Sequence, residues 1–236
     1  MRLLKPLCAH GFCRPIFETL RLTYLTFQFA GVHTNVGGGY KDTSISDITL
    51  AWMMEQLSKH LDFDRPYLAW QVTQNQKFYQ EKGTPLAGQG WGLGLIQDNS
   101  TGFLNMLQGT ATRTPGEYHL TDPKTGNQLP EKLLNTCEFI HPSVRYRIEN
   151  GTSLARSADQ KVGEGKYRPQ ALANWDYLEA GKDTPGAQID PKWAKAPKWV
   201  TKDGKTYIVE DTIRREGFEK VLTDSWQGVN QFLQLQ

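Results

Sequence analysis

The chain has 236 residues and a mass of 26.8 kDa, which is enough for one large domain or two small ones with a real hydrophobic core. Its formal charge of +2 gives no reason to expect nucleic acid as a partner. The three cysteines are too few for a disulfide framework and predict a reducing compartment, the cytoplasm. No apolar run approaches the roughly 20 residues of a transmembrane helix.

The first predicted element is a strand within residues 21–33, where polar residues alternate with large apolar ones. We expect this strand to end near Val32. Three glycines, Gly37, Gly38 and Gly39, then accept backbone angles that strain other residues, and they predict a sharp turn. His33 should therefore lie in a loop between the strand and the next element.

The sequence DTSISDITLAWMMEQLSKHLDFD predicts an amphipathic helix after the turn. Ser44 or Ser46 is expected at its N-cap, and Asp47 in the first turn complements the helix dipole. The predicted buried face repeats at helical spacing and consists of Ile48, Ala51, Trp52, Met54 and Leu57.

The remainder gives weaker signals. Residues 62–130 are mixed, with an ordered, glycine-rich loop expected over 82–103, and residues 138–149 fit either an extended segment or a short helix. Residues 150–170 are polar and predict a mobile linker. In the C-terminal extension, 171–236, Asp203-Gly204 predicts a β-hairpin over 198–211, and a short helix is expected around 212–222.

A histidine at the end of a strand is typical of the general base of an α/β-hydrolase, but it needs a nucleophile and a carboxylate. Residues 1–32 contain no serine, and Glu18 is their one acid. The full sequence has no G-x-S-x-G elbow, and Ser153 lies in a polar segment in the wrong chain order. From these residues alone, His33 is more simply a turn residue.

Several motifs nevertheless occur in a specific order: FAGVHTNVGGGY, ISDITLAWMMEQL, WGLGL, TRTPGEY and HPSVRYR, between residues 29 and 147. This series resembles the C-terminal part of the uncharacterised α/β-hydrolase domain found in many fungal proteins and in bacterial type VI secretion phospholipase effectors. The resemblance implies an α/β fold that contains the last strand and following helix of a hydrolase sheet. It also implies that residues 29–149 are the hydrolase-like part.

The resemblance implies that His33 is the base of a serine-dependent ester hydrolase. In such relatives, segments resembling G-F-S-R-G and G-V-W-D-T-V-G precede this block and supply the serine and the aspartate. Many relatives have aspartate where this chain has Asn35. Residues 1–28 do not match the family, so we expect a leader joined to a domain whose N-terminal half was lost through a gene-model error.

Supporting roles near His33 each have a simpler alternative. The backbone N–H groups of Gly37, Gly38 and Gly39 are candidates to bind an oxyanion, but glycines also simply form turns. Asp47 is a candidate to hold the histidine loop, although the helix dipole explains it equally well. The lysines and tryptophans of 192–205 suit an anionic surface or, more simply, a solvated hairpin.

Two functions follow from this reading. The first is a fragment of a phospholipase-like ester hydrolase, inactive as this chain because the nucleophile and acid segments are missing, whose parent family acts on a lipid or other ester. The second is a non-catalytic interaction module on a degenerate hydrolase scaffold, with a protein partner that the sequence does not identify. Neither implies a cofactor or a metal.

Overall fold

The computed structural model describes residues 25–84, 88–97, 113–132, 136–151, 155–156, 167–182 and 189–235. These residues form two compact units whose segments alternate along the chain. The first unit contains the described residues of Met1–Gln28, Thr112–Ile140 and Gln170–Asp211. The second contains those of Phe29–Ala111, His141–Pro169 and Thr212–Gln236.

The first unit contains a mixed five-stranded sheet, which gives the chain its α/β character together with the helices of the second unit. Its strands are β1 (Thr26–Gln28), β5 (Glu138–Ile140), β7 (Trp175–Leu178), β8 (Lys198–Thr201) and β9 (Tyr207–Glu210). The spatial order is β1-β5-β9-β8-β7, with parallel pairing in β1-β5-β9 and antiparallel pairing in β9-β8-β7. A separate antiparallel pair joins β3 (His119–Thr121) to β4 (Gln128–Lys132).

The predicted turn at Asp203-Gly204 connects β8 to β9 as a hairpin. Gly204 has a φ of +71°, a conformation that favours glycine, and its N–H donates to the Thr201 carbonyl over 2.7 Å. The Asp203 carboxylate accepts from the Thr201 hydroxyl at 2.6 Å. This local chemistry fixes the register without help from distant residues.

The buried carboxylate of Glu138 organises the start of β5. It accepts hydrogen bonds from the Gln28 amide at 3.3 Å, the Gly116 N–H at 2.8 Å and the Thr136 hydroxyl at 2.5 Å. Beside it, the rings of Phe27 and Phe139 stack with centroids 5.1 Å apart. These contacts hold the short parallel pair β1-β5 together, since three residues of strand offer few ladder bonds.

The second unit is mainly helical. Its elements are α1 (His33–Gly37), α2 (Ser44–Leu57), α3 (Arg65–Lys82), α4 (Pro142–Asn150), α5 (Phe218–Asp224), α6 (Val229–Phe232) and the parallel pair β2 (Ile96–Gln97) and β6 (Ala155–Arg156). Its core contains Ile48, Ala51, Met54, Leu68, Val72, Trp91, Leu93, Tyr146, Ile213, Phe218, Leu222 and Val229. Among the described residues, no helix is long and apolar enough to cross a bilayer.

Helix α2 begins at Ser44, within the predicted region of its start, but its capping differs. The N-cap is Thr43, which makes no side-chain cap: its hydroxyl donates to Asp47, and the Ser44 hydroxyl accepts from the Gly94 N–H. The predicted apolar face is largely correct, although Leu57 is exposed and Trp52 is only half-buried. The helix ends where its last turn leaves the core.

Two other predictions were wrong or incomplete. The 18-residue helix α3 was missed within the mixed region 62–130, because its inward residues Leu68, Val72, Asn75 and Tyr79 include a polar one, which weakens the helical periodicity. The alternatives left open for 138–149 both occur, as β5 and then α4. The short helix predicted around 212–222 forms at Phe218–Asp224.

Most of the predicted linker 150–170 lies outside the described residues, as do nearly all of the leader 1–28 and residues 85–87 and 98–103 of the predicted loop. Within the described part of 150–170, Ala155–Arg156 pairs in parallel with Ile96–Gln97. The linker's mobility and the domain boundaries at 28 and 149 remain predictions.

The core of the second unit predicts a sharp difference between two leucines. Leu68 is fully buried, whereas Leu61 is 53% exposed. We expect Leu68→Ala to lower the free energy of unfolding by about 2–5 kcal/mol, because it removes buried methyl groups and leaves a cavity. Leu61→Ala, the matched control, should change it by less than about 0.5 kcal/mol. Urea titration followed by circular dichroism measures both, and equal effects would contradict this core.

Candidate functional site

His33 is the first residue of α1, so the prediction that it lies in a loop was wrong in detail. The strand ends at Gln28, not near Val32, and the Val32 carbonyl accepts from the N–H groups of Asn35 (2.9 Å) and Val36 (3.2 Å) to start a helical turn. His33 still lies between β1 and α2 in the chain. Its side chain is exposed, and no described side chain hydrogen-bonds its imidazole.

Asn35 fixes this turn from the buried side. Its Oδ1 accepts from the Val32 N–H at 3.3 Å, and its Nδ2 donates to the Leu95 carbonyl at 2.9 Å. Gly31 has a φ of +104°, and a Cβ there would lie 2.7 Å from the Asn35 Cβ. An aspartate at position 35 could not donate to Leu95 when ionised, so the amide suits this contact.

The three glycines after His33 have different roles. Gly38 and Gly39 have φ values of +86° and +119°, which confirms that the turn uses glycine's freedom at these two positions. Gly37 is helical, and a Cβ on it would lie 4.0 Å from Cε1 of His33. Gly37 therefore lies directly beside the imidazole. Binding of an oxyanion by these backbone N–H groups stays a prediction.

The backbone of loop 91–95 is hydrogen-bonded to polar side chains that follow Gly37–Gly39 in the sequence. Asp42 accepts from the Leu95 N–H at 2.9 Å and from the Tyr79 hydroxyl at 2.9 Å. The Ser44 hydroxyl accepts from the Gly94 N–H at 2.9 Å, and a Cβ on Gly94 would lie 2.0 Å from that oxygen. This loop therefore needs glycine at position 94. It is held by Asp42, just before α2, and by Ser44, the first residue of α2.

Asp47 is buried in the first turn of α2. Its carboxylate accepts from the Thr43 hydroxyl at 2.8 Å. Burial raises the pKa of Asp47 to about 6, with a further increase from the charge of Asp42 and an opposing effect of the Thr43 hydrogen bond. In the described part of the chain Asp47 makes no hydrogen bond to residues 33–39, so its support of the histidine turn stays a prediction.

A buried Glu219–His141–Ser143 array was not predicted. His141 Nε2 lies 2.7 Å from Glu219 Oε1, and His141 Nδ1 lies 2.7 Å from the Ser143 hydroxyl. The Ser143 N–H donates to Nδ1 at 3.2 Å, which caps α4. Nδ1 is therefore the acceptor, and Nε2–H donates to the carboxylate. The ring of Phe29 stacks on the imidazole at 4.7 Å.

The array has the residue types of a hydrolytic triad, but it is buried in the protein interior, as a structural hydrogen-bond network is. His141 is completely buried, and Ser143 is 3% exposed. A substrate carbonyl could not reach the Ser143 hydroxyl in this arrangement. Glu219 is 78 residues away from His141 in the sequence, and no local pattern links them.

Comparison with known families shows a similarity over a short stretch of the chain. The family described as T6SS, phospholipase effector Tle1-like, catalytic domain matches residues 22–56. This stretch includes β1, the His33 turn and most of α2. It relates the His33 segment to phospholipase-type hydrolases. Among the described residues, no group of three His, Cys, Asp or Glu side chains is arranged to hold a metal ion.

A second similarity is weak and partial. The chain is 24% identical over 156 residues to Porin O of Pseudomonas aeruginosa, an alignment that covers 65% of this chain and 31% of that protein. This chain thus spans less than a third of the length of that relative. No solved structure matches the chain significantly.

The raised pKa of Asp47 predicts a pH-dependent stability. The folded state binds the Asp47 proton more tightly than the unfolded chain, whose pKa is near 3.8, so this group lowers stability as pH rises from about 4 to 6. Asp47→Asn keeps an acceptor for Thr43 and removes the charge. We expect the free energy of unfolding of the variant to exceed that of the parent. This difference should grow through that window and reach roughly 2–3 kcal/mol above pH 7. A constant difference from pH 4 to 8 in urea titrations would contradict it.

The buried array predicts a loss of stability when the partner of its imidazole is removed. Glu219→Ala should lower the free energy of unfolding by about 1–3 kcal/mol, because it leaves the buried Nε2–H of His141 without an acceptor. Glu216→Ala, at an exposed position two residues from α5, serves as the control and should be nearly neutral. Denaturant unfolding of both variants tests the difference, and two neutral results would show that the array contributes little.

Proposed function

We propose that this chain presents the histidine part of a phospholipase-type ester hydrolase site and does not hydrolyse esters by itself. The observation that carries the proposal is the exposed His33 imidazole on a turn fixed from behind by Asn35, within the segment similar to a phospholipase catalytic domain. A lipid or other ester is the substrate class that fits this relation. We also propose that the fold contains the last strand and the following helix of an α/β-hydrolase sheet.

The chemistry explains why the imidazole alone is insufficient. A serine hydroxyl becomes a strong nucleophile when a base takes its proton, and a carboxylate holds the base in the correct tautomer. The described residues place neither group against His33, and the sequence contains no G-x-S-x-G elbow. Loss of a triad member lowers turnover by a factor on the order of 10⁴ to 10⁶.

A non-catalytic interaction module remains the second candidate. It is favoured by one observation: the buried hydrogen bonds of the second unit, at loop 91–95 and at His141, do not involve the His33 side chain. This scaffold would persist without catalysis. Both candidates predict no hydrolysis, but only the hydrolase-related one predicts that a complete site would use His33.

The test is an ester hydrolysis assay of the full 236-residue chain with short-chain p-nitrophenyl esters and phosphatidylcholine vesicles. We expect the parent chain, His33→Ala and His60→Ala, an exposed-histidine control, to show the same background rate. Turnover well above background that disappears in His33→Ala and persists in His60→Ala would contradict the predicted inactivity. Ser153→Ala would then test the nearest serine to an elbow-like sequence.

A further inference from the structure

Arg147 is a buried cation whose hydrogen bonds are only partly used. Its side chain extends from α4 and is fully buried. Nη1 donates to the carbonyl oxygens of Gly92 at 2.6 Å and Gly94 at 2.7 Å. One edge of the guanidinium thereby holds the loop 91–95 against α4.

The other edge of the guanidinium has no counterpart in the described part of the chain. The buried Nε and Nη2 atoms make no hydrogen bond there. These two nitrogens form the planar fork that binds two oxygens of one carboxylate or phosphate in parallel. A buried guanidinium with unpaired N–H groups is costly, so an oxyanion with this geometry would be strongly favoured.

The surroundings of Arg147 leave its charge without a direct acidic contact among the described residues. The partners of Nη1 are neutral carbonyl groups, and the ring of Tyr167 lies 5.0 Å from Cζ. Asp42, the acid whose charge acts on Arg147, makes its hydrogen bonds to other groups, the Tyr79 hydroxyl and the Leu95 N–H. Burial lowers the pKa of the guanidinium, as expected for a desolvated cation.

We propose that the Nε–Nη2 edge of Arg147 is an oxyanion-binding site that takes a phosphate or carboxylate group through two parallel hydrogen bonds. In this proposal the half-buried ring of Tyr167, whose centroid lies 5.0 Å from Cζ, moves aside to admit the ligand. This site does not rest on the proposed ester hydrolysis, because it uses neither His33 nor a nucleophile.

The first experiment measures thermal unfolding of the full chain in increasing inorganic phosphate or acetate, with chloride at matched ionic strength as the control. We expect a saturable rise in Tm with at least one oxyanion, because a ligand that binds the folded state stabilises it, and none with chloride. Arg147→Lys should weaken the apparent affinity roughly 10- to 100-fold, since a single ammonium cannot replace the fork. Arg145→Gln, two residues earlier on α4, should keep the response.

The second experiment needs no variant and decides the matter if Arg147→Lys does not fold. The Nε–H resonance of Arg147 in the parent chain should move downfield with phosphate or acetate, while that of Arg145 stays in place. A response to phosphate alone identifies a phosphoryl ligand, and a response to acetate alone identifies a carboxylate. No saturable change of Tm and no movement of the Arg147 resonance with either ion would overturn the proposal.

Discussion

The second unit depends on the way four side chains bind the backbone of one glycine-containing loop. Residues 91–95 offer N–H groups to Asp42 and Ser44 and carbonyl groups to Asn35 and Arg147. The partners come from the His33 turn, from the start of α2 close by, and from α4, which follows much later in the sequence. Because buried backbone groups must be hydrogen-bonded, this loop fixes the positions of all three segments at once. The Ser44 hydroxyl and the Gly94 backbone approach too closely for any side chain at 94.

In the His33 turn, one residue stabilises the backbone and another presents a reactive side chain. The Asn35 side chain is buried, and both its amide oxygen and its amide nitrogen hydrogen-bond backbone groups. The His33 side chain, two residues earlier, is exposed to solvent. The turn is therefore rigid on its buried side and leaves an imidazole available on the other. The proposed role of His33 as a general base requires such an arrangement, because a base must be held in place and still reach its substrate. The Glu219–His141–Ser143 array is the opposite case, since its hydrogen bonds are complete but its burial removes it from any substrate.

Local patterns in the sequence predicted local structure well. Alternation and the Asp203-Gly204 pair identified the hairpin, and apolar spacing identified α2. The strand before His33 was placed too far along the chain, because the residues 29–32 continue the apolar pattern beyond Gln28, where the strand ends. Helix α3 was missed because Asn75 interrupts its inward face. The order of motifs indicated a relation to phospholipases, but the pairing of Arg147 with Gly92 and Gly94, or of His141 with Glu219, depends on contacts over more than 50 residues that no single pattern encodes.

The most direct measurement of the central claim is amide hydrogen exchange at Gly94 and Leu95, followed by NMR on the full chain. Their N–H groups donate to Ser44 and Asp42 inside the unit, so both should exchange far more slowly than in an unfolded peptide. In Asp42→Ala the protection of Leu95 should fall sharply, while Gly151, whose N–H donates to the Arg147 carbonyl at the end of α4, should keep its own. Exchange of Gly94 and Leu95 at unfolded-peptide rates in the parent chain would contradict the account.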